Sequence, residues 1–407
     1  MELKRLALLA IITATAVAWG NAQWVETSGT YTNGKTGCLA VSGTNLFAGT
    51  DSGGVLLSTN SGASWTAVNT GLTEVYVWAI GFSATTLFAG TDNGVFVSTN
   101  NGTNWSSANA GLSATGVSAI AVSGTNVFAG TNGGVYLSTN SGYSWKSVKT
   151  GMTGLQIRAL AVSGTNIYAG TLGGGAYLST NSGTSWSAVT TGMGNTTVNA
   201  FAVSGTSLYA GTDAGVFLST NSGSSWSAVS ARLGNSGSVY ALALSGTNLF
   251  AGTWSDTVFL STNAGAIWNP VNTGMGSTEC IRSFAILGTN LFAGTNIGVW
   301  KRPLSDMVST SVSTTQGEMP ATFSLAQNYP NPFNPSTTIG YVLPHGTFVK
   351  LSVCNSLGQD VATLINGAQD AGYHEVKFDG SNLASGMYFY RITAGSFVKT
   401  MKMLNLH

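Results

Sequence analysis

Carboxylates recur at two fixed places in this chain, and a pair of them is the minimum equipment for cleaving a glycosidic bond. Asp51, Asp92, Asp213 and Asp256 each follow an aromatic-Ala-Gly-Thr phrase, while Glu74 and Glu279 follow a different turn. Glycoside hydrolysis needs two such groups about 5–10 Å apart, which makes Asp51, Asp92, Asp213 and Glu279 the catalytic candidates. A second set of residues is suited to holding a ligand: Trp78, Arg158, Asn199, Tyr240 and Arg282, with Glu74, Asp256 and Trp254 beside them. Aromatic rings stack on sugars, and Arg, Asn and carboxylates hydrogen-bond to hydroxyls and peptide groups. Other chemistries are excluded. His345, His374 and His407 are the only histidines, so a Ser-His-Asp triad or a His-ligated zinc within the first 320 residues is ruled out. The glycines punctuate hairpins and do not open a helix, so no phosphate loop is present. No cofactor and no metal is expected.

The elements that position these residues come from a repeat. The aromatic-Ala-Gly-Thr phrase begins at Phe47, Phe88, Phe128, Tyr168, Tyr209, Phe250 and Phe292, with spacings of 41, 40, 40, 41, 41 and 42 residues. A period near 40 built from short strands and Gly/Asn turns predicts a β-propeller with one blade per repeat. In the third repeat, strands are expected over 117–122, 127–130 and 135–137 and again from Trp145, separated by polar turns. The seventh copy lacks its last strand. Trp24-Val25-Glu26-Thr27 echoes Trp65-Thr66-Ala67-Val68, so the N-terminal segment is expected to supply it and close a ring of seven four-stranded blades.

Six copies of Ser-x-Asn-x-Gly-x-x-Trp punctuate the repeats. They place Asn60, Asn100, Asn140, Asn181, Asn221 and Asn263 in the turns, and Trp65, Trp105, Trp145, Trp186, Trp226 and Trp268 after them. The Asn oxygen accepts backbone N–H groups, the Gly permits positive φ, and the Trp covers the turn. The pattern resembles the Asp-box (BNR) repeat of sialidase-like propellers, sortilin-type receptors, xyloglucan hydrolases and photosystem II assembly factors. The resemblance covers residues 24 to about 303 and implies the propeller fold, with these turns structural. The family usually has Asp where all six copies here have Asn. A neuraminidase would also want an arginine cluster, for which Arg158, Arg232 and Arg282 are available, and a Tyr–Glu pair such as Tyr240 and Glu279. The family's N-terminal Arg-Ile-Pro signature is absent.

Within the chain, the turns after first and third strands hardly change, whereas those after second and fourth strands change every time. These sets lie at opposite ends of an up-down blade, so one face is monotonous and the other individual. One first-strand position also varies, reading Gly37, Trp78, Ser118, Arg158, Asn199, Tyr240 and Arg282. These side chains are expected to ring the channel mouth on the variable face. Three readings stay open: a module binding an extracellular glycan or protein, a sialidase-like or xyloglucan-hydrolase-like glycosidase, and a purely structural surface protein.

The ends and the composition set the compartment. Lys4 and Arg5, an apolar run from Leu6 to Ala18, and Gly20-Asn21-Ala22 read as a signal peptide over 1–22, cleaved near Ala22. No later segment is long and apolar enough to span a bilayer. Only 7% of residues are charged and the net charge is +1, which excludes a nucleic-acid footprint. Cys38, Cys280 and Cys354 are too few for a disulfide framework. Cys38 and Cys280 fall in first and last blades, and either a bridge or two small core residues is compatible with that. The propeller is expected to be monomeric.

Composition shifts at Pro303. Residues 304–320 read as a Ser/Thr-rich linker, and 321–407 as short alternating strands of an Ig-like or fibronectin-like β-sandwich. The strings LAQNYPNPFNPSTTIGYVLP, LSVCNSLGQDVATL and AGYHEVKFDGSNLASGMYFYRITAG closely resemble the C-terminal sorting domain of type IX secretion substrates. That resemblance implies the type IX machinery as a partner of residues 321–407, and a destination on or beyond the outer membrane of a Gram-negative bacterium.

Overall fold

The computed structural model describes residues 23–27, 34–307 and 323–406, apart from residues 154, 195, 231–232, 234–237, 278–279 and 329–330. The expected signal peptide, most of the expected linker, and the candidates Arg232 and Glu279 therefore lie outside the described residues.

The third repeat shows how the sequence becomes a sheet. Strands Val117–Ser123, Asn126–Thr131, Gly134–Ser138 and Lys146–Ser147 pair antiparallel in that order. Gly124 takes φ +61° at the first central position of the two-residue hairpin, the conformation that matches the twist of the flanking strands. Asn126–Thr131 is buried on both faces because the sheet packs between two others. Its glycine is required for that approach: a Cβ on Gly130 would stand 2.5 Å from Ile157 Cγ2 of the next sheet.

Seven four-stranded sheets of this plan are built from residues 25–303, with inner strands beginning at Thr36, Val77, Val117, Ile157, Val198, Val239 and Ile281. They are numbered one to seven in that order. The seventh combines Ile281–Leu287, Asn290–Thr295 and Gly298–Pro303 with Val25–Glu26, whose residues lie opposite Lys301 and Trp300. Each inner strand touches the next, and Thr36–Ser42 touches Ile281–Leu287, so the series closes on itself. The architecture is all-β and fits a propeller.

Neighbouring sheets are fastened by the recurring turn and its tryptophan. In the third repeat, Asn140 Oδ1 accepts from Ser138 Oγ at 2.9 Å and from Ser144 N at 3.0 Å, while Gly142 N donates to Ser138 Oγ at 2.8 Å. Asn60, Asn100, Asn181, Asn221 and Asn263 repeat the arrangement. Trp145 Nε1 then donates to Ala108 O of the preceding sheet at 2.7 Å. Trp105, Trp186, Trp226 and Trp268 reach back in the same way to Val68, Val148, Val189 and Val229. Trp24 closes the series on Val271 O at 2.6 Å, and Trp65 meets the Thr27 hydroxyl at 3.1 Å. These tryptophans are buried, each burial contributing roughly 1.5–3 kcal/mol. After Pro303 the chain makes a 3-10 turn over Leu304–Asp306, and Met307 packs into the core beside Trp24 and Trp300.

Residues 323–406 form two further sheets. One runs Ser324–Leu325, Ser336–Leu343, Gly372–Asp379; the other runs Asp360–Gln369, Thr347–Cys354, Gly386–Ala394, Phe397–Asn405. They share one core that includes Ile339, Tyr341, Leu351, Tyr390 and Met403. The Asn/Pro-rich segment ties itself to the last strand: Phe333 N donates to Leu404 O and Leu406 N donates to Phe333 O, both at 2.9 Å. Among the described residues no helix is long and apolar enough to cross a membrane.

Candidate functional site

Every inner strand carries the same irregularity. In sheet two, Val77 lies opposite Thr91 and Ala79 opposite Gly90, which leaves Trp78 without a counterpart. The slip recurs at Gly37, Ser118, Arg158, Asn199, Tyr240 and Arg282. These are the seven positions whose identity changes from repeat to repeat. A β-bulge inserts one residue, bends the strand and re-aims that side chain. The residue before each bulge (Thr36, Val77, Val117, Ile157, Val198, Val239 or Ile281) is at most 1% exposed and anchors the strand. The bulged residue is exposed or half-buried.

The residue fourteen positions after each bulged residue lies in the turn after the second strand, and four of the seven pairs are in contact. Trp78 Nε1 donates to Asp92 Oδ1 at 2.7 Å, Asn199 Nδ2 to Asp213 Oδ1 at 3.0 Å, and Arg282 Nε to Asn296 Oδ1 at 2.5 Å. Tyr240 packs against Trp254 with ring centroids 5.5 Å apart. Arg158 has exposed Leu172 at this offset, and Gly37 has Asp51, whose Oδ1 accepts from Lys35 N at 2.9 Å. Ser118 Oγ donates to Ile157 O at 2.5 Å, one sheet on. The turns are held by the threonine of the recurring phrase: Thr91 Oγ1 donates to Gly94 O at 2.9 Å, and its counterparts do the same.

Fourth-strand turns add to this end. Glu74 Oε1 accepts from Asn93 Nδ2, and Ser277 Oγ donates to Asp256 Oδ2 at 3.2 Å. Tyr240 stands among charges from several sheets. Burial raises its phenol pKa first and Asp213 adds to the rise, while Arg158 and Arg282 oppose it. Neither arginine has a carboxylate at its fourteen-residue offset.

The structure therefore brings Trp78 to Asp92, Asn199 to Asp213 and Tyr240 to Trp254 as local pairs. Sequence reasoning missed Asn132, Leu172 and Asn296, which hold the partner position in sheets three, four and seven. The constant offset of fourteen, maintained while the repeat length varies, is the signal that finds them. All three cysteines are free thiols; burial pushes Cys280 up to about 11 and Cys38 up to about 12.

Against known proteins, the model of the secretion system C-terminal sorting domain matches residues 327–405. The chain carries a type IX secretion sorting domain. The sorting domain implies export by that system to the cell surface. No curated protein matches the chain. Among solved structures, the extracellular domain of the one-component system BT4673 from B. thetaiotaomicron superposes with a TM-score of 0.60 at 17% identity over 79% of this chain. The present chain spans 46% of that protein's length. YCF48 bound to D1 peptide gives 0.57 at 14% identity, covering 71% of this chain and 98% of its own. PorZ, a surface component of the type IX system of Porphyromonas gingivalis, gives 0.53 at 16% identity, covering 91% of this chain and 59% of its own. At these identities the likeness concerns the fold alone.

Proposed function

We propose that residues 23–303 are a seven-bladed β-propeller that binds an extracellular glycan or protein through its variable end, without catalysis. A signal peptide over 1–22 precedes it. A linker beginning beyond Met307 joins it to a sorting β-sandwich over 321–407, which delivers it through the type IX machinery to the outer surface. The observation that carries this reading is the bulge. One backbone device, repeated seven times at one register, presents the inner-strand position that takes six different residue types over seven repeats. A merely solvated rim has no need of seven identical presentations of seven sequence-variable positions. YCF48, of similar fold, is known with a D1 peptide bound, which supports a polypeptide as one ligand class for such a scaffold.

The test is a glycan and polysaccharide array together with capture of surface proteins, using the full chain and two sets of variants. Alanine at Trp78, Arg158 and Arg282 should abolish capture. Alanine at Tyr143, 77% exposed in an invariant-end turn, should leave it intact. Equal effects from both sets would remove the proposal. Release of sugar from a glycoside panel, lost on changing Asp92 or Asp213 to Asn, would replace it with hydrolysis.

A further inference from the structure

Ten tryptophans fall among the described residues, and eight of them are buried in the fastening between sheets or in the core. The remaining two are Trp78, 37% exposed, and Trp254, 51% exposed. Both stand at the variable end, in sheets two and six. On the closed series these sheets are separated by sheets one and seven on one side and by three, four and five on the other, so the two indoles stand on nearly opposite sides of the series.

Each indole is held as a plate. Trp78 is fixed by its N–H bond to Asp92 and lies nearly parallel to Tyr76, at 20° with centroids 6.4 Å apart. It rests beside Gly37, where a Cβ would come within 3.5 Å of Trp78 Cε3. Trp254 is braced by Tyr240 at 43°. A carboxylate, Asp92, sits at the edge of Trp78, and further carboxylates line the same end. Asp92, Asp51 and Asp213 each use Oδ1 within the protein, and their Oδ2 atoms accept from no described residue. A pyranose offers the complement, with an apolar C–H face to lie on an indole and vicinal hydroxyls to donate to a carboxylate at its edge.

Resting on the binding reading above, we infer that the ligand is a polysaccharide spanning the mouth, with one sugar ring stacked on Trp78 and a second ring of the same chain stacked on Trp254. Two plates on nearly opposite sides demand a ligand of several units. Its affinity comes from two modest contacts made by one chain, so it grows with chain length until both plates are covered.

The experiment uses the chain after removal of the proposed signal peptide, which carries Trp19, and its own fluorescence, because acrylamide reaches the two exposed indoles and not the eight buried ones. The probes are xyloglucan, mixed-linkage β-glucan, mannan and polygalacturonate, each alongside its disaccharide. At least one polysaccharide should shield both indoles from acrylamide and bind more tightly than its disaccharide. Trp78→Ala and Trp254→Ala should each weaken it by up to roughly tenfold, and the double variant should bind the polymer no better than the disaccharide. Gly37→Leu, which crowds Trp78 without removing it, should reproduce part of the Trp78→Ala loss. Polysaccharide binding that leaves both indoles open to acrylamide, or that ignores chain length, overturns the inference. Capture of a protein through Trp78 and Arg158 with no polysaccharide bound overturns it and leaves the binding module standing. If nothing binds through this end, both readings fall.

Discussion

Replacing Trp24 by alanine should cost as much as removing a tryptophan from the middle of the repeat, although the other three strands of its sheet begin only at Ile281. Its side chain is 2% exposed and packs with Phe250, Val258, Ile281 and Trp300. Its indole donates to Val271 O at 2.6 Å and its backbone N–H to Thr273 O at 2.9 Å. Deleting a buried Trp side chain costs roughly 3–5 kcal/mol. Val271 O keeps a second donor, Arg302 Nη1 at 2.7 Å, so no acceptor is orphaned and the lost hydrogen bond adds only about 1 kcal/mol. The expected loss is therefore about 4–6 kcal/mol. Trp145→Ala, whose indole donates to Ala108 O at 2.7 Å from a side chain 5% exposed, is the internal reference. Urea unfolding followed by circular dichroism reads both, and thermal melting should fall by roughly 10–20 °C in each. If Trp24→Ala stays within about 1 kcal/mol of the parent while Trp145→Ala does not, the N-terminal strand does not secure the ring and the closure argument fails.

Gly111 and Gly124 both have positive φ, but a Cβ on Gly111 would stand 2.2 Å from Trp145 O whereas Gly124 faces open space. Alanine at Gly124 should cost about 1 kcal/mol, and alanine at Gly111 roughly 1–3 kcal/mol more, read by the same unfolding curves. Asn140→Asp retains the acceptor for Ser138 and Ser144, so stability at pH 7 should change by less than about 0.5 kcal/mol. A carboxylate accepting those bonds has a depressed pKa, so the variant should lose stability relative to the parent as pH falls below about 4. At pH 8 the native chain should react fastest at half-buried Cys354, while Cys38, also half-buried, is slowed by a thiol pKa pushed up to about 12, and all three should react after denaturation, by titration with a thiol reagent. Cys38 and Cys280 are raised in the folded state from 9.0 to about 12 and about 11. Their contribution is complete below pH 9 and is lost as pH climbs through the folded values, so melting temperatures should drop between pH 9 and 12 and less so in a Cys38→Ala/Cys280→Ala variant.

The strands were legible because each hairpin needs its own glycine or asparagine, and the turn after Val122 or before Trp145 can be spelled in few ways. The missing strand of the seventh repeat was legible because Trp24-Val25-Glu26 copies Trp65-Thr66-Ala67. The bulge was not. Val77-Trp78-Ala79 alternates buried and exposed whether or not the ladder slips, and the slip lies in the pairing with Thr91 and Gly90, which a linear pattern does not contain. The pairing of Trp78 with Asp92 follows from the slip, so the acids were recognised as a class while their particular partners were not. Asn296 and Leu172 were passed over because a search for carboxylates skips neutral residues at the same turn position. The free state of Cys38 and Cys280 also depended on three dimensions: the Cys38 thiol points to Val77 O, in sheet two and away from sheet seven.

One sheet draws its outermost strand from residues 25–26 and its other three from residues 281–303. Synthesis delivers those two pieces at opposite times. Six sheets can assemble in order as they emerge, yet the gap between first and last persists until Pro303 has arrived, just ahead of the sorting segment. A chain interrupted earlier keeps raw strand edges at both sides of that gap, an open invitation to proteases. Completeness of the circle is thus a built-in inspection stamp, legible to any protease the chain meets.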